Sequence, residues 1–163
     1  MTVALRPARD TDWGRIHGWL QQTEVQRWWG SLAAAEAEVI AALRAPMGLC
    51  SIINVDGVAV GYAQAQDAQP SGAGLPHSLT AGHFRVDAFI GDPAFRGRSF
   101  GVAALQLVAS EVFATTLAPG VIVVVAIKHE AAIRACEKAG FHWVRVIDDP
   151  LSGPSWLMRL TRP

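Results

Sequence analysis

Only two cysteines, Cys50 and Cys136, occur in this chain of 163 residues, and they form no Cys-x-x-Cys pair. That count and spacing exclude a disulfide scaffold, and both are read as free thiols of a cytosolic protein. The five histidines show no His-Glu-x-x-His or related spacing, so no metal site is expected. Net charge is missing too: 14 basic and 14 acidic side chains cancel. Without a polybasic arm, nucleic acid is not an expected partner. The longest apolar run, VIVVVAI at 121–127, is too short to cross a membrane, which excludes that partner as well. The opening MTVALRPARDTDW has no apolar run behind a basic start. No signal peptide is therefore expected, and the expected compartment is the cytoplasm. No internal repeat is found.

What is present is a core. Apolar residues make up 51% of the chain and charged residues 17%, the balance of one folded domain spanning 1–163. Residues 3–8 read as a strand. Residues 10–22 read as a helix, with Trp13, Ile16 and Leu20 at helical spacing. A short helix or turn follows at 24–30, then a helix over 33–45. LCSIINV and VAVGYAQAQ flank Asp56-Gly57, a hairpin signal. Residues 67–82 form a loop rich in Gly, Pro, Ser and Ala. A strand (83–92), a helix (100–115), a buried strand (121–127) and a helix (130–140) closed by Gly140 follow. Strands at 142–148 and 155–162 end the chain. This order predicts an α/β domain of the α+β type, with helices packed on a largely antiparallel sheet.

Residues 97–101 read GRSFG, the Gly-x-Ser-x-Gly pattern of a hydrolase nucleophile. Such an enzyme needs an acid and then a histidine after the serine. Here Asp148 and Asp149 follow both His129 and His142, and Glu137 lies too near His142. The same stretch also reads as an anion cradle. Arg96 and Arg98 bring guanidinium groups, Gly97 and Gly101 permit tight turns, and a helix begins just behind. Its free N–H groups and positive dipole end favour a diphosphate. A plain turn with solvated arginines is the other reading.

Arg96-Gly97-Arg98-Ser99-Phe100-Gly101 resembles motif A of the GNAT N-acetyltransferases, and AIRACEKAGF at 132–141 resembles a later helix and strand of that family. VQRWWG (25–30), GYAQ (61–64), GAG (72–74) and DAFIG (87–91) resemble, in order, segments of aminoglycoside 6′-N-acetyltransferases. Siderophore acyltransferases share parts of the pattern. The resemblance implies a GNAT fold, acetyl-CoA as co-substrate, and direct acetyl transfer to a primary amine of a cationic small molecule. It implies that Arg96, Gly97, Arg98, Ser99, Phe100 and Gly101 hold the pyrophosphate, with His129 nearby at a position usually held by asparagine. Phe89 and Ile90 would offer backbone groups to the pantetheine arm. Asp87 would bind the amine and take its proton. Trp28, Trp29, Tyr62 and Gln64 would line the acceptor site, and Asp149, with Asp148 and Asp67, would add negative potential. Bland readings stand beside these: core aromatics, a packed tyrosine, a solvated Asp-Asp turn.

Three departures mark this chain. Ser99 stands where the family has glycine, His129 where it has asparagine, and Cys136 where it has the tyrosine that protonates the leaving thiolate. Cys136 is thus a candidate catalytic acid or a silent buried thiol. Other outcomes consistent with the sequence are an acyltransferase for a siderophore hydroxylamine or protein amine, or a weakened acyl-CoA-binding module. A homodimer stays open, because the final strands look exposed.

Overall fold

The computed structural model describes residues 1–45, 48–68, 75 and 80–163. The expected GAG at 72–74 and most of the 67–82 loop lie outside the described residues. The chain runs β1 (Val3–Pro7), a 3-10 turn (Asp10–Asp12), α1 (Trp13–Leu20), α2 (Thr23–Trp29), α3 (Leu32–Arg44), β2 (Leu49–Val55), β3 (Val58–Asp67) and β4 (Phe84–Ile90). A second 3-10 turn (Pro93–Phe95) leads to α4 (Phe100–Thr115), β5 (Gly120–Ala126), α5 (Glu130–Lys138), β6 (His142–Asp149) and β7 (Gly153–Thr161).

Local signals account for most boundaries. Asp56 and Gly57 both take positive φ (49° and 83°), as a two-residue type I′ turn between β2 and β3 requires. At α5, Gly140 N–H donates to Glu137 O and Phe141 N–H to Cys136 O. This paired cap ends the helix at a left-handed glycine (φ 102°), and Pro or a β-branched residue is not needed to stop it. The first helix starts later than its sequence pattern suggests. The Asp12 carboxylate accepts from Arg9 N–H and both guanidinium nitrogens of Arg6, which holds residues 10–12 in a tighter turn before α1 begins.

The seven strands form one sheet in the order β1-β2-β3-β4-β5-β7-β6. Every pair is antiparallel except β4–β5, which are joined through α4. Period-two alternation sorts side chains between two layers. On one face Ile53, Ala63 and Val86 pack against Ala104, Leu105, Val108 and Val112 of α4. On the other, Ile52, Tyr62 and Phe89 pack against Ile16, Trp19 and Leu20 of α1, Val25 of α2 and Val39 of α3. Full burial of an aliphatic side chain contributes about 1.5–3 kcal/mol, so both layers are substantial. Architecture and strand character agree with the α+β expectation.

Candidate active site

The parallel pair β4–β5 is short. Only Phe84–Val121 and Arg85–Ile122 are in register. Each strand is held along its other edge, β4 by β3 and β5 by β7 over its whole length. The two can therefore part without the sheet coming undone. Between them opens a cleft of about 530 Å³, lined by Val86–Ile90 on one side and Val123–Ala126 on the other. Backbone groups along that parted edge need partners. A ligand running along the gap would supply them.

The cleft meets the start of α4 at one end. Asp92 Oδ1 accepts from Ala94 N–H (2.9 Å) and sets the turn before the loop. Gly97 and Ser99 both adopt left-handed backbone (φ 71° and 65°). A Cβ at Gly97 or Gly101 would meet nothing within 4 Å, so open space lies beside the helix's first turn. Free N–H groups of a 16-residue helix and that space fit an anionic group such as a diphosphate. Ser99 is exposed, and its side chain makes no cap hydrogen bond.

The two loop arginines differ. Arg96 Nε donates to Ile90 O (2.9 Å), and its Nη2 reaches Gly91 O (3.2 Å) and Gln22 Oε1. Its guanidinium is thus spent on bracing the loop against the end of β4 and the α1–α2 turn. Arg98 lies exposed over the rings of Phe95 (5.6 Å) and Phe100 (5.2 Å), and does not line the cleft in this arrangement. Phe100 itself is buried in the core, so its side chain is not available to a ligand in the cleft.

The other end of the cleft is acidic. Asp87 and Arg85 alternate with Val86 on β4, so they share one face, and Arg85 Nε lies 3.4 Å from Asp87 Oδ2. The register sets Gln64 of β3 directly opposite Asp87. Gln64 Nε2 donates to Glu38 Oε1 of α3 (3.3 Å), and Tyr62 Oη donates to Gln64 Oε1 (2.9 Å). Asp149, at the end of β6, is buried and lines the cleft. It accepts from the N–H groups of Leu151 and Ser152 and from the Ser152 hydroxyl.

These charges perturb one another. Burial, reinforced by the Asp87 and Asp149 charges and opposed by Arg85, raises Glu38 to about 7. Burial also raises Asp87, again against the pull of Arg85. Arg85 is raised chiefly by the Asp87 charge. Burial, aided by Asp87 and Glu137, pushes the Cys136 thiol up to about 12.

An aromatic contact also lines the cleft. Trp28 of α2 stacks on His129, the residue before α5, at 3.8 Å and 4° between planes, and the Arg27 guanidinium lies 4.9 Å over Trp28. Burial holds His129 down at about 4, with Arg27 acting in the same sense and Glu24 against it. The ring is therefore neutral at pH 7.

Of the residues singled out from sequence, Trp28, Trp29, Asp87, Phe89, Ile90, Arg96, Gly97, Ser99, Gly101, His129, Cys136 and Asp149 all line this one cleft. Tyr62 and Gln64 do not. Both are fully buried behind its wall, because β3 is an interior strand covered by α1–α3. Asp148 is exposed and Asp67 closes β3, and neither reaches the cleft. Sequence reading missed Glu38 and Arg85. Glu38 had a signal: Ala35, Glu38, Val39 and Ala42 follow the i, i+3, i+4, i+7 rule, and the other three are buried. An acid on that stripe must face the protein.

This architecture, a sheet parted at the parallel pair β4–β5 before a glycine-bearing helix start, matches a known family. The acetyltransferase (GNAT) domain matches residues 8–149. The chain belongs to the GNAT acetyltransferase family. As an enzyme it is an N-acetyltransferase. Aminoglycoside acetyltransferase AAC(6′)-Ib in complex with coenzyme A superposes with a TM-score of 0.86 at 26% identity, covering 99% of this chain and 95% of that one. The same protein with coenzyme A and kanamycin gives 0.85 at 25% identity, over 99% and 95%. An aminoglycoside N(6′)-acetyltransferase from Legionella pneumophila shares the fold, with a TM-score of 0.72 at 16% identity over 98% and 91%. No curated protein sequence is a significant match to this GNAT chain. No helix among its described residues is long and apolar enough to cross a membrane.

Proposed function

We propose that this GNAT enzyme moves an acetyl group from acetyl-CoA to a primary amine of a cationic small molecule, of the kind presented by the 6′-amine of an aminoglycoside. The observation that carries this reading is the acidic end of the cleft. Around Glu38 the neighbouring charges are Asp87 and Asp149 against Arg85, a local balance that attracts an ammonium group. The similar structures hold coenzyme A and kanamycin, which supports the same acceptor class.

In this reading the first turn of α4 receives the diphosphate on backbone N–H groups, with open space at Gly97 and Gly101 to admit it. Arg98, exposed and held against Met1 Sδ and the Phe95 and Phe100 rings, is the guanidinium that would swing toward it. The parted edge of β4 at Phe89 and Ile90 bonds the pantetheine arm. Acetyl-CoA supplies a thioester, and strand N–H groups polarise its carbonyl for direct attack by a neutral amine. Trp28 and Trp29 wall the acceptor, while Tyr62 and Gln64 act from behind that wall. Cys136 stays a thiol. Its proton is held too tightly to suit a thiolate of ordinary pKa near 8.5, so the leaving sulfur takes its proton from the attacking nitrogen or from water. The enzyme would work in the cytoplasm, and with aminoglycosides as acceptors it would confer resistance to them.

A CoA-release assay with acetyl-CoA against aminoglycosides, polyamines and hydroxylamines tests the proposal, with calorimetry of CoA binding beside it. Turnover on aminoglycosides or polyamines is expected. Turnover confined to hydroxylamines overturns the amine reading in favour of a siderophore-type acyltransferase. CoA binding with no turnover marks an acyl-CoA-binding module, and no CoA binding overturns the cofactor site.

A further inference from the structure

We propose that Glu38, and not Asp87, is the group that takes the proton from the acceptor's ammonium, with Asp87 held as a positioning carboxylate by Arg85 and Gln64. The assignment rests on the amine-transfer reading above and deepens it.

The two carboxylates stand in different company. Asp87 faces a cation on its own strand, with Arg85 Nε 3.4 Å away. Among the described residues that buried Nε has no hydrogen-bond partner, and the Asp87 charge is the largest that compensates it, ahead of Glu38 and Asp149. Protonating Asp87 would remove that largest compensation from a buried guanidinium, a costly change. Glu38 forms no ion pair among the described residues. Its recorded polar contact is one long hydrogen bond from Gln64 Nε2, 3.3 Å.

The charge balance favours the same choice. Glu38, Asp87 and Asp149 carry three negative charges when ionised, against one positive charge on Arg85. A proton accepted at Glu38 relieves repulsion from both other carboxylates and leaves the Arg85–Asp87 pair intact. The groups facing Glu38 are Asp87 and Arg85 from β4, Asp149 from β6 and Gln64 from β3, with Tyr62 behind Gln64. Together with burial they hold Glu38 near neutrality, where a proton acceptor works best. The Tyr62–Gln64–Glu38 chain of hydrogen bonds fixes the carboxylate's position. Gln64 can donate in only one sense, because its oxygen is engaged by the Tyr62 hydroxyl.

The step balances simply. An N–H bond of the ammonium breaks as an O–H bond forms on Glu38, leaving a neutral amine and a neutral carboxylic acid. The nitrogen lone pair then forms the C–N bond, and the C–S bond breaks with its electron pair going to sulfur. The second nitrogen proton neutralises the thiolate, and Glu38 returns its proton to solvent.

The test is the pH dependence of kcat/KM for the wild type, Glu38→Gln, Glu38→Asp and Asp87→Asn, each checked for folding by circular dichroism and for CoA affinity by calorimetry. The wild type is expected to lose activity as pH falls through about 7. Glu38→Gln should bind CoA as the wild type does, lose about a hundredfold in kcat/KM and lose the acid limb. Glu38→Asp should recover part of the rate and keep a limb. Asp87→Asn should raise KM and keep the limb, displaced to lower pH because a negative neighbour is gone. A limb that persists in Glu38→Gln, or one that vanishes in Asp87→Asn, overturns the assignment while leaving amine transfer intact. A wild type that releases no CoA with any amine overturns the amine-transfer reading, and the assignment with it.

Discussion

Replacing Ser99 with glycine should stabilise the protein. Ser99 sits at φ 65°, ψ 11° immediately before α4, and its hydroxyl makes no cap hydrogen bond. Left-handed backbone costs an L-residue about 1–2 kcal/mol, because Cβ crowds the following carbonyl. Glycine escapes that cost but gives back about 0.5–1 kcal/mol through its greater freedom in the unfolded chain. The net gain is about 0.5–1 kcal/mol. Unfolding entropy near 2.1 cal/mol/K per residue converts this, for a domain of this length, to a rise of about 2 °C in Tm. Ser99→Ala is the control. It loses the hydroxyl but keeps Cβ, so no gain is expected. Thermal and urea unfolding followed by circular dichroism would read both. Ser99→Gly melting at or below the wild type refutes the strain, and Ser99→Ala gaining as much as Ser99→Gly refutes its cause. In the proposed reading the cradle's main donors are backbone N–H groups, so both variants should bind CoA within about twofold of the wild type by calorimetry.

Arg96→Ala and Arg98→Ala should separate fold from binding. Arg96 braces three acceptors and its loss should cost about 2 kcal/mol or more in urea unfolding, whereas exposed Arg98 should leave Tm unchanged and weaken CoA binding. Gly91→Ala should be among the most damaging single changes, because a Cβ there would lie 2.2–2.5 Å from the buried Trp19 ring; a loss above about 3 kcal/mol, or failure to fold, is expected, and a wild-type melting curve would show the contact yields. Asp12 is held down at about 2, first by hydrogen bonding to Arg6, so its contribution is full above its unfolded value near 4 and is lost as pH falls through about 2. With Arg6 about one-third exposed, Asp12→Asn should cost about 1–2 kcal/mol at pH 7, and the stability gap to the wild type should close between pH 4 and 2. A gap that stays constant across that range would show that the ion pair is not its source.

Local chemistry was legible in the sequence wherever neighbours along the chain sufficed. Asp56-Gly57 made its hairpin and Gly140 its helix cap, because a turn or cap depends on a few consecutive φ angles. The start of α4 behind GRSFG followed in the same way, and the structure shows that serine as a left-handed residue at the helix start. The motif order along the chain pointed to the family whose domain matches it. Other features needed the folded sheet. The parting of β4 from β5 arises because β3 and β7 hold their outer edges, a relation among four strands that no short stretch encodes. Tyr62 and Gln64 lie behind the cleft wall because α1–α3 cover that face, and Arg96 turns inward because the end of β4 and the α1–α2 turn offer it carbonyl and amide oxygens. Glu38 was only half visible. Helical spacing placed it on a buried stripe, but packing of α3 over the Gln64–Asp87 register brought it to the acidic end of the cleft. The sequence by itself determined the hairpin turn, the glycine cap of α5 and the motifs of the loop, since these depend on local backbone geometry. Which charges meet, and which carboxylate forms no ion pair among the described residues, was decided by tertiary packing, since burial and Coulomb forces act through space and not along the chain.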